Sequence, residues 1–233
     1  MRQFIINVIK SIGYHFHDMD NARTPLSLIH EEAIRDSYEF IRERMSIAAL
    51  YSNTFELRRS VIDRVCDAGP GEKLILEFGV FKGGTIGLFA DRMRKNGVKV
   101  PIYGFDAFEG LEENWSQLNY PRGTFSRGGR MPKVKSNVRL IKGWVQETLE
   151  AFLSDKRGKI AFMHLDMDTY SPTKFVLEKT RDRCESGTVI LFDELYGYPN
   201  WRMHEYKALN EVYDEAEYEY VAFGKMQCAI RLK

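Results

Sequence analysis

The chain has 233 residues, with 34 Lys and Arg against 33 Asp and Glu, a net charge of +1. That balance gives no global electrostatic drive toward nucleic acid or an anionic membrane. No stretch approaches the roughly 18 apolar residues that span a bilayer, while 44% hydrophobic residues suffice for one sizeable core. The three cysteines, Cys66, Cys184 and Cys228, are scattered. They suggest neither a disulfide framework nor a zinc knuckle, and they suit a reducing cytoplasm.

Residues 4–9 are apolar but short, end at Lys10 and lack a small-residue cleavage site. They read as part of a terminal helix rather than a signal peptide. Leu28, Ile29, Ala33, Ile34, Tyr38, Ile41 and Met45 recur at helical spacing. A second helix is expected over 55–65, ended by Ala68-Gly69-Pro70-Gly71. Residues 1–70 are therefore expected to form an N-terminal helical extension or cap, and 71–233 the main domain.

From there strands and helices alternate. Strands are expected at 74–78, 101–105, 138–141, 160–165 and 188–192. Helices are expected after Gly84, at 146–154, from Ser171-Pro172 (Ser as N-cap, Pro in the first turn) and at 201–215. Residues 218–223 and 226–232 read as two strands joined by a tight hairpin at Gly224-Lys225. Residues 107–136 are irregular and read as a lid or substrate loop. The fold class that follows is α/β: a Rossmann-like, doubly wound, seven-stranded sheet with an antiparallel C-terminal hairpin strand.

Three features carry chemistry. The first is Gly79-Val80-Phe81-Lys82-Gly83-Gly84-Thr85, a strand-to-helix turn that lets backbone approach a ligand and offers free N–H groups to an anion. Its spacing is neither the dinucleotide fingerprint nor a P-loop. The second is Asp106 at the end of the next strand, where an acid can accept ribose hydroxyls. The third is two acid pairs that end apolar runs, Asp166 with Asp168 and Asp193 with Glu194. Acids converging at strand C-termini repel one another unless a cation sits among them or some take up protons.

The segments 77–85, 103–111, 143–149, 164–173 and 192–201 resemble, in order, the motifs of class I S-adenosylmethionine-dependent methyltransferases. More narrowly they resemble the macrocin O-methyltransferase family, which methylates sugar hydroxyls on natural products. The resemblance implies that the turn of Gly79, Phe81, Lys82, Gly83 and Thr85 holds the methionine part of S-adenosylmethionine. Glu77 would organise that turn or meet the amino group, Asp106 would take the ribose, and Gly143 and Trp144 would lie along the adenine. It implies Mg2+ held by Asp166, Asp193 and Glu194. Asp168 is expected to point aside and cap the turn at 169–171.

Asp166 is the first choice for general base, with His204 as rival. Magnesium-dependent catechol and caffeoyl-type enzymes resemble the chain at the same acids but carry a lysine base where this chain has Thr169. That favours a sugar acceptor in a glycan, nucleotide sugar or glycosylated metabolite; a phenol or catechol acceptor is the alternative. His164, inside a strand, reads as structural. Tyr196, Tyr198 and Trp201 either stack on a sugar or simply pack. The basic segment with Arg122, Arg127, Arg130, Lys133 and Lys135 is either a solvated lid or a lure for an acidic substrate. The N-terminal helices could pair two subunits as a homodimer or fold over the cofactor. A cytoplasmic enzyme is expected.

Overall fold

A computed structural model describes residues 24–233. The helix expected over residues 4–9 lies outside the described residues. Among the described residues, eight strands form one sheet: β1 (Ala49–Leu50), β2 (Leu74–Phe78), β3 (Ile102–Asp106), β4 (Val138–Lys142), β5 (Ile160–Leu165), β6 (Val189–Phe192), β7 (Tyr218–Phe223) and β8 (Cys228–Leu232). Their order is β1-β7-β8-β6-β5-β2-β3-β4. β8 pairs antiparallel with both neighbours, and every other pair is parallel. β2 and β5 are buried at every position, as expected for parallel strands covered on both faces by apolar side chains.

Six helices flank the sheet among the described residues: α1 (Pro25–Arg42), α2 (Thr54–Asp67), α3 (Gly84–Lys95), α4 (Val145–Asp155), α5 (Tyr170–Thr180) and α6 (Glu205–Val212). Thr24 and Ser27 form a capping box that starts α1, and Asn53 caps α2 through the amides of Phe55 and Glu56. One face of the sheet packs Leu76, Phe78, Met163 and Leu165 against α1, α4, α5 and α6. The other packs Ile75, Phe162 and Leu191 against α2 and α3. The chain leaves β2 toward β3 on one side, and β5 flanks β2 on the other. The strand order therefore reverses between β2 and β5, and the ligand crevice of such sheets opens there.

The structure departs from the expected elements in four places. An eighth, two-residue strand adds to the β7 edge, too short to leave a period-two pattern. The turn between β7 and β8 spans four residues, closed by Gly224 N–H donating to Gln227 O at 2.8 Å. Met226 O instead receives Leu195 N–H at 3.0 Å, so the hairpin is pulled toward the ends of the acid strands. The helix expected over 201–215 splits into a 3-10 turn, Trp201–Met203, and α6, because His204 leaves the helical region. Finally, α5 begins at Tyr170 with Thr169 as N-cap. Ser171 lies inside the first turn, where its N–H and Oγ both donate to the Glu113 carboxylate.

Residues 24–70 share the cores of the rest of the chain. Phe40 of α1 is buried among Tyr196, Trp201, Tyr206, Tyr220 and Phe223, with ring centroids 5.2–6.0 Å away. Elsewhere α1 exposes Leu26, Ile34 and Tyr38. No helix among the described residues is long and apolar enough to cross a membrane. Truncating a buried phenylalanine costs about 3–5 kcal/mol. Phe40→Ala should therefore lower the urea midpoint of the whole chain; an unchanged midpoint would show that α1 is not part of the cooperative core.

Candidate active site

The turn after β2 has backbone contacts on both sides. Gly79 sits at φ +88°, and a Cβ there would lie 1.7 Å from Asp166 O, so only glycine lets β2 and β5 close at this point. Its N–H donates to Phe105 O at 2.9 Å. Asp106 braces the same turn: Oδ2 accepts the N–H groups of Val80 (2.8 Å) and Phe81 (2.7 Å), and Oδ1 accepts that of Phe108 (2.6 Å). Gly143 N–H donates to Asp106 O at 3.1 Å, which draws the end of β4 to the end of β3.

These ends enclose a cavity of about 320 Å³, within the range of small-ligand pockets. Gly79, Phe81, Asp106, Gly143 and Trp144 line one part of it, and Asp166, Asp168 and Glu194 another. Glu77, Lys82, Gly83, Thr85, Asp193 and His204 are not among the lining residues. Lys82 instead lies over the Phe81 ring at 4.8 Å. Gly83, at φ +82°, is the N-cap of α3. His204 Nε2 pairs with Gln117 Oε1 at 3.0 Å. An amide oxygen only accepts, so Nε2 carries the proton, and burial lowers the pKa of this histidine.

Tyr196, Tyr198 and Trp201 are buried in the main core, which decides their open assignment in favour of packing. The exposed aromatic residues at the cavity are Phe81 and Phe125, in edge contact at 5.8 Å, with Tyr120 next in line at 5.1 Å from Phe125.

The acids meet because their strands are held level. Asp166 N–H donates to Phe78 O at 2.8 Å, and Asp193 N–H to Leu165 O at 3.0 Å. Carboxylate oxygens of Asp166, Asp168 and Glu194 lie within 4.8 Å of one another, and Asp166 also groups with Asp193 and His164 at the same limit. Asp168 joins the cluster instead of turning aside. It sits at φ +65°, a left-handed conformation that Asp tolerates, and Thr169 N–H closes the turn on Met167 O at 2.7 Å.

Behind the cavity runs a polar chain that the motifs did not reveal. Asp193 Oδ1 accepts from Arg58 Nη2 at 2.5 Å, pairs with His164 Nε2 at 3.0 Å, and accepts from the Gln227 amide. His164 Nδ1 faces Glu77 Oε2 at 3.3 Å. Both His164 and Glu77 are wholly buried. Burial opposes charge on the imidazole, but hydrogen bonds to Asp193 and Glu77 outweigh it and raise His164 to about 10. Burial likewise opposes charge on Asp193, yet His164 and Arg58 hold it below the ordinary carboxylate range.

The other acids go the opposite way. Burial first, then the Asp193 charge, raises Asp166 and Glu194 well above their usual values and Asp168 to about 7. Burial also raises Glu77 and Glu205. Arg58 and His164 cannot neutralise Asp166, Asp168, Asp193, Glu194, Glu205 and Glu77 together. The remaining charge must be met by protons or by a hard cation with oxygen ligands.

This imbalance fixes the sign of a pH effect. Between pH 3.8 and about 7 the unfolded chain has released the Asp168 proton that the metal-free folded chain retains. Stability then falls as pH rises. The raised His164 adds a loss of the same sign from 6.5 toward 10, and the lowered Asp193 contributes no change above 3.8. The metal-free protein should melt at a lower temperature at pH 8 than at pH 5.5, and added Mg2+ should raise the melting temperature more at pH 8. A melting temperature that rises with pH and ignores Mg2+ would contradict the charge assignment.

Comparison with known proteins agrees with this geometry. Residues 76–195 match the model of a methyltransferase domain family. A curated relative from Streptomyces olivaceus, the 8-demethyl-8-(2,3-dimethoxy-alpha-L-rhamnosyl)-tetracenomycin-C 4'-O-methyltransferase, is 25% identical over 151 residues. That match covers 56% of this chain and 55% of the relative, so the chain spans about half of the relative's length. Among solved structures, the calicheamicin methyltransferase CalS11 is similar at 26% identity and a TM-score of 0.62, covering 75% of this chain and 77% of that one. Its apo form, described as a TDP-rhamnose 3'-O-methyltransferase, gives 25% identity, a TM-score of 0.56 and the same coverage. The O-methyltransferase NovP, at 19% identity and a TM-score of 0.59 over 77% of this chain and 79% of that one, shares the fold. The matched span contains the glycine turn, Asp106 and all four strand-end acids, and the chain belongs to this methyltransferase domain family.

Proposed function

We propose that the protein is a Mg2+-dependent O-methyltransferase that moves a methyl group from S-adenosylmethionine to a sugar hydroxyl. The observation that carries this reading is one cavity bounded by a braced glycine turn and by three carboxylates within 4.8 Å of one another. The donor set fits Mg2+: it is all oxygen, and Glu194 Oε2 is buried without a protein partner. The other part fits the donor. Gly79 leaves backbone exposed to the cavity, and Gly143 and Trp144 border it where the adenine would lie. Each Asp106 oxygen has two lone pairs. Oδ1 accepts one N–H, which leaves capacity for a ribose hydroxyl.

When bound, S-adenosylmethionine supplies an electrophilic methyl group, and Mg2+ stabilises negative charge on the hydroxyl oxygen and orients it. The remaining tasks belong to the chain. Asp166, common to both groups of acids, holds the cation and accepts the hydroxyl proton. Asp168 and Glu194 face the cavity beside it. Asp193 is pinned through Oδ1 by Arg58, His164 and Gln227, and Oδ2 is the oxygen through which it would meet a cation. Glu77 acts from behind by holding His164 rather than by meeting the donor's amino group. His204 is paired with Gln117 outside the cavity lining, which favours Asp166 as base. Phe125 and Phe81 offer apolar faces at the mouth that suit a deoxysugar.

A sugar acceptor is supported by the rhamnose-bearing substrates in the names of the relatives and by Thr169 at the position of a catechol-type lysine base. In a methyl-transfer assay with S-adenosylmethionine, TDP-rhamnose, a rhamnoside and catechol, the sugars should be methylated with Mg2+ and turnover should cease with EDTA. Methylation of catechol alone would overturn the sugar assignment, and turnover indifferent to EDTA would overturn the metal.

A further inference from the structure

Glu205 opens α6 and is wholly buried. Its Oε2 accepts the Glu194 N–H at 3.0 Å. The N–H groups of residues 193, 194 and 195 each have a separate partner. Asp193 donates to Leu165 O, Leu195 donates to Met226 O, and only Glu194 depends on a side chain. Glu205 Oε1 is buried without a partner, and so are Glu194 Oε2 and the Tyr198 hydroxyl. A buried carboxylate left half unpaired beside other acids is costly. Its retention here has a clear geometric result: the peptide that carries Glu194 is fixed, so the Glu194 side chain faces the cavity.

We propose that Glu205 is a positioning residue that aims Glu194 at the bound cation through the Glu194 peptide N–H. This rests on the reading of the cavity as a Mg2+ site. Glu205 itself is not among the residues that line the cavity. It also ties the acids to the irregular segment 107–136: the preceding residue, His204, pairs with Gln117 in the 3-10 turn Ser116–Leu118. Arg202, two residues further back, holds Asp36 of α1 through two hydrogen bonds at 2.8 Å. A shift of α6 at its first turn would therefore reach Glu194, the 116–118 turn and α1 together.

The test is titration calorimetry of Mg2+ into the metal-stripped full chain, with S-adenosylhomocysteine affinity and melting temperature measured in parallel. Glu205→Gln retains an amide oxygen that can accept the Glu194 N–H and should bind Mg2+ within about threefold of the parent. Glu205→Ala removes the acceptor and should weaken Mg2+ roughly 10- to 100-fold, as loss of outer supports to metal ligands does, with S-adenosylhomocysteine affinity unchanged. Wild-type Mg2+ affinity in Glu205→Ala would overturn the proposal, as would equal weakening in both variants. Parallel loss of Mg2+, S-adenosylhomocysteine and thermal stability in Glu205→Ala would show a merely structural role and overturn it too. Absence of Mg2+ binding by the parent chain would instead remove the metal reading on which the proposal stands.

Discussion

Carboxylates gathered at the ends of β5 and β6 lie within 4.8 Å of one another. At an effective dielectric of about 20, two like charges 4 Å apart repel by about 4 kcal/mol. The site is organised around that repulsion. Arg58 and the buried His164 offset part of it from behind, through Asp193. Among the described residues, no Lys, Arg or His lines the side that opens to the cavity. Asp193 is thereby the anion whose Oδ1 the protein satisfies itself, while Asp166, Asp168 and Glu194 line the cavity. That division, one carboxylate tied inward and three facing outward, links the fold to the proposed chemistry.

Placing those acids requires the rest of the sheet. Gly79 permits β2 to touch Asp166, and Asp106 braces the turn that follows. The ladder bonds from Asp166 and Asp193 keep the two acid strands level. The β7–β8 turn contributes as well, since Met226 holds the Leu195 amide and Gln227 reaches Asp193. The turn is longer than a minimal hairpin: Gly224 N–H closes on Gln227 O, while Met226 and the Gln227 side chain reach out to the acid loop.

Much of this was legible in the residues. Largely apolar runs marked the buried parallel strands, glycines marked the strand-to-helix turn, and acids closing apolar runs marked the open end of the sheet. The local register of Glu77 was legible too: it alternates with Leu76 and Phe78, so it faces away from the side on which Phe78 lines the cavity. The family resemblance has it organise the glycine turn or meet the donor's amino group; in the structure it pairs with His164. What was not legible depends on long-range closure or on single dihedrals. Arg58 and Asp193 are 135 positions apart, and nothing local announces that they meet. The left-handed turn at Asp168 brings it into the cluster, although a capping role fitted its neighbours equally well. Glu205 reads as an ordinary acid in the first turn of a helix, and only its burial and its bond to Glu194 show otherwise.

The most direct measurement of the central claim is an anomalous diffraction map of a crystal soaked in Mn2+, a substitute for Mg2+ that can be located by its scattering. The account predicts one strong peak per chain, bonded to Asp166 and to Glu194 at the open end of β5 and β6. A map without a peak there, or with a cation bound elsewhere while the acids remain bonded only to protein, would contradict it.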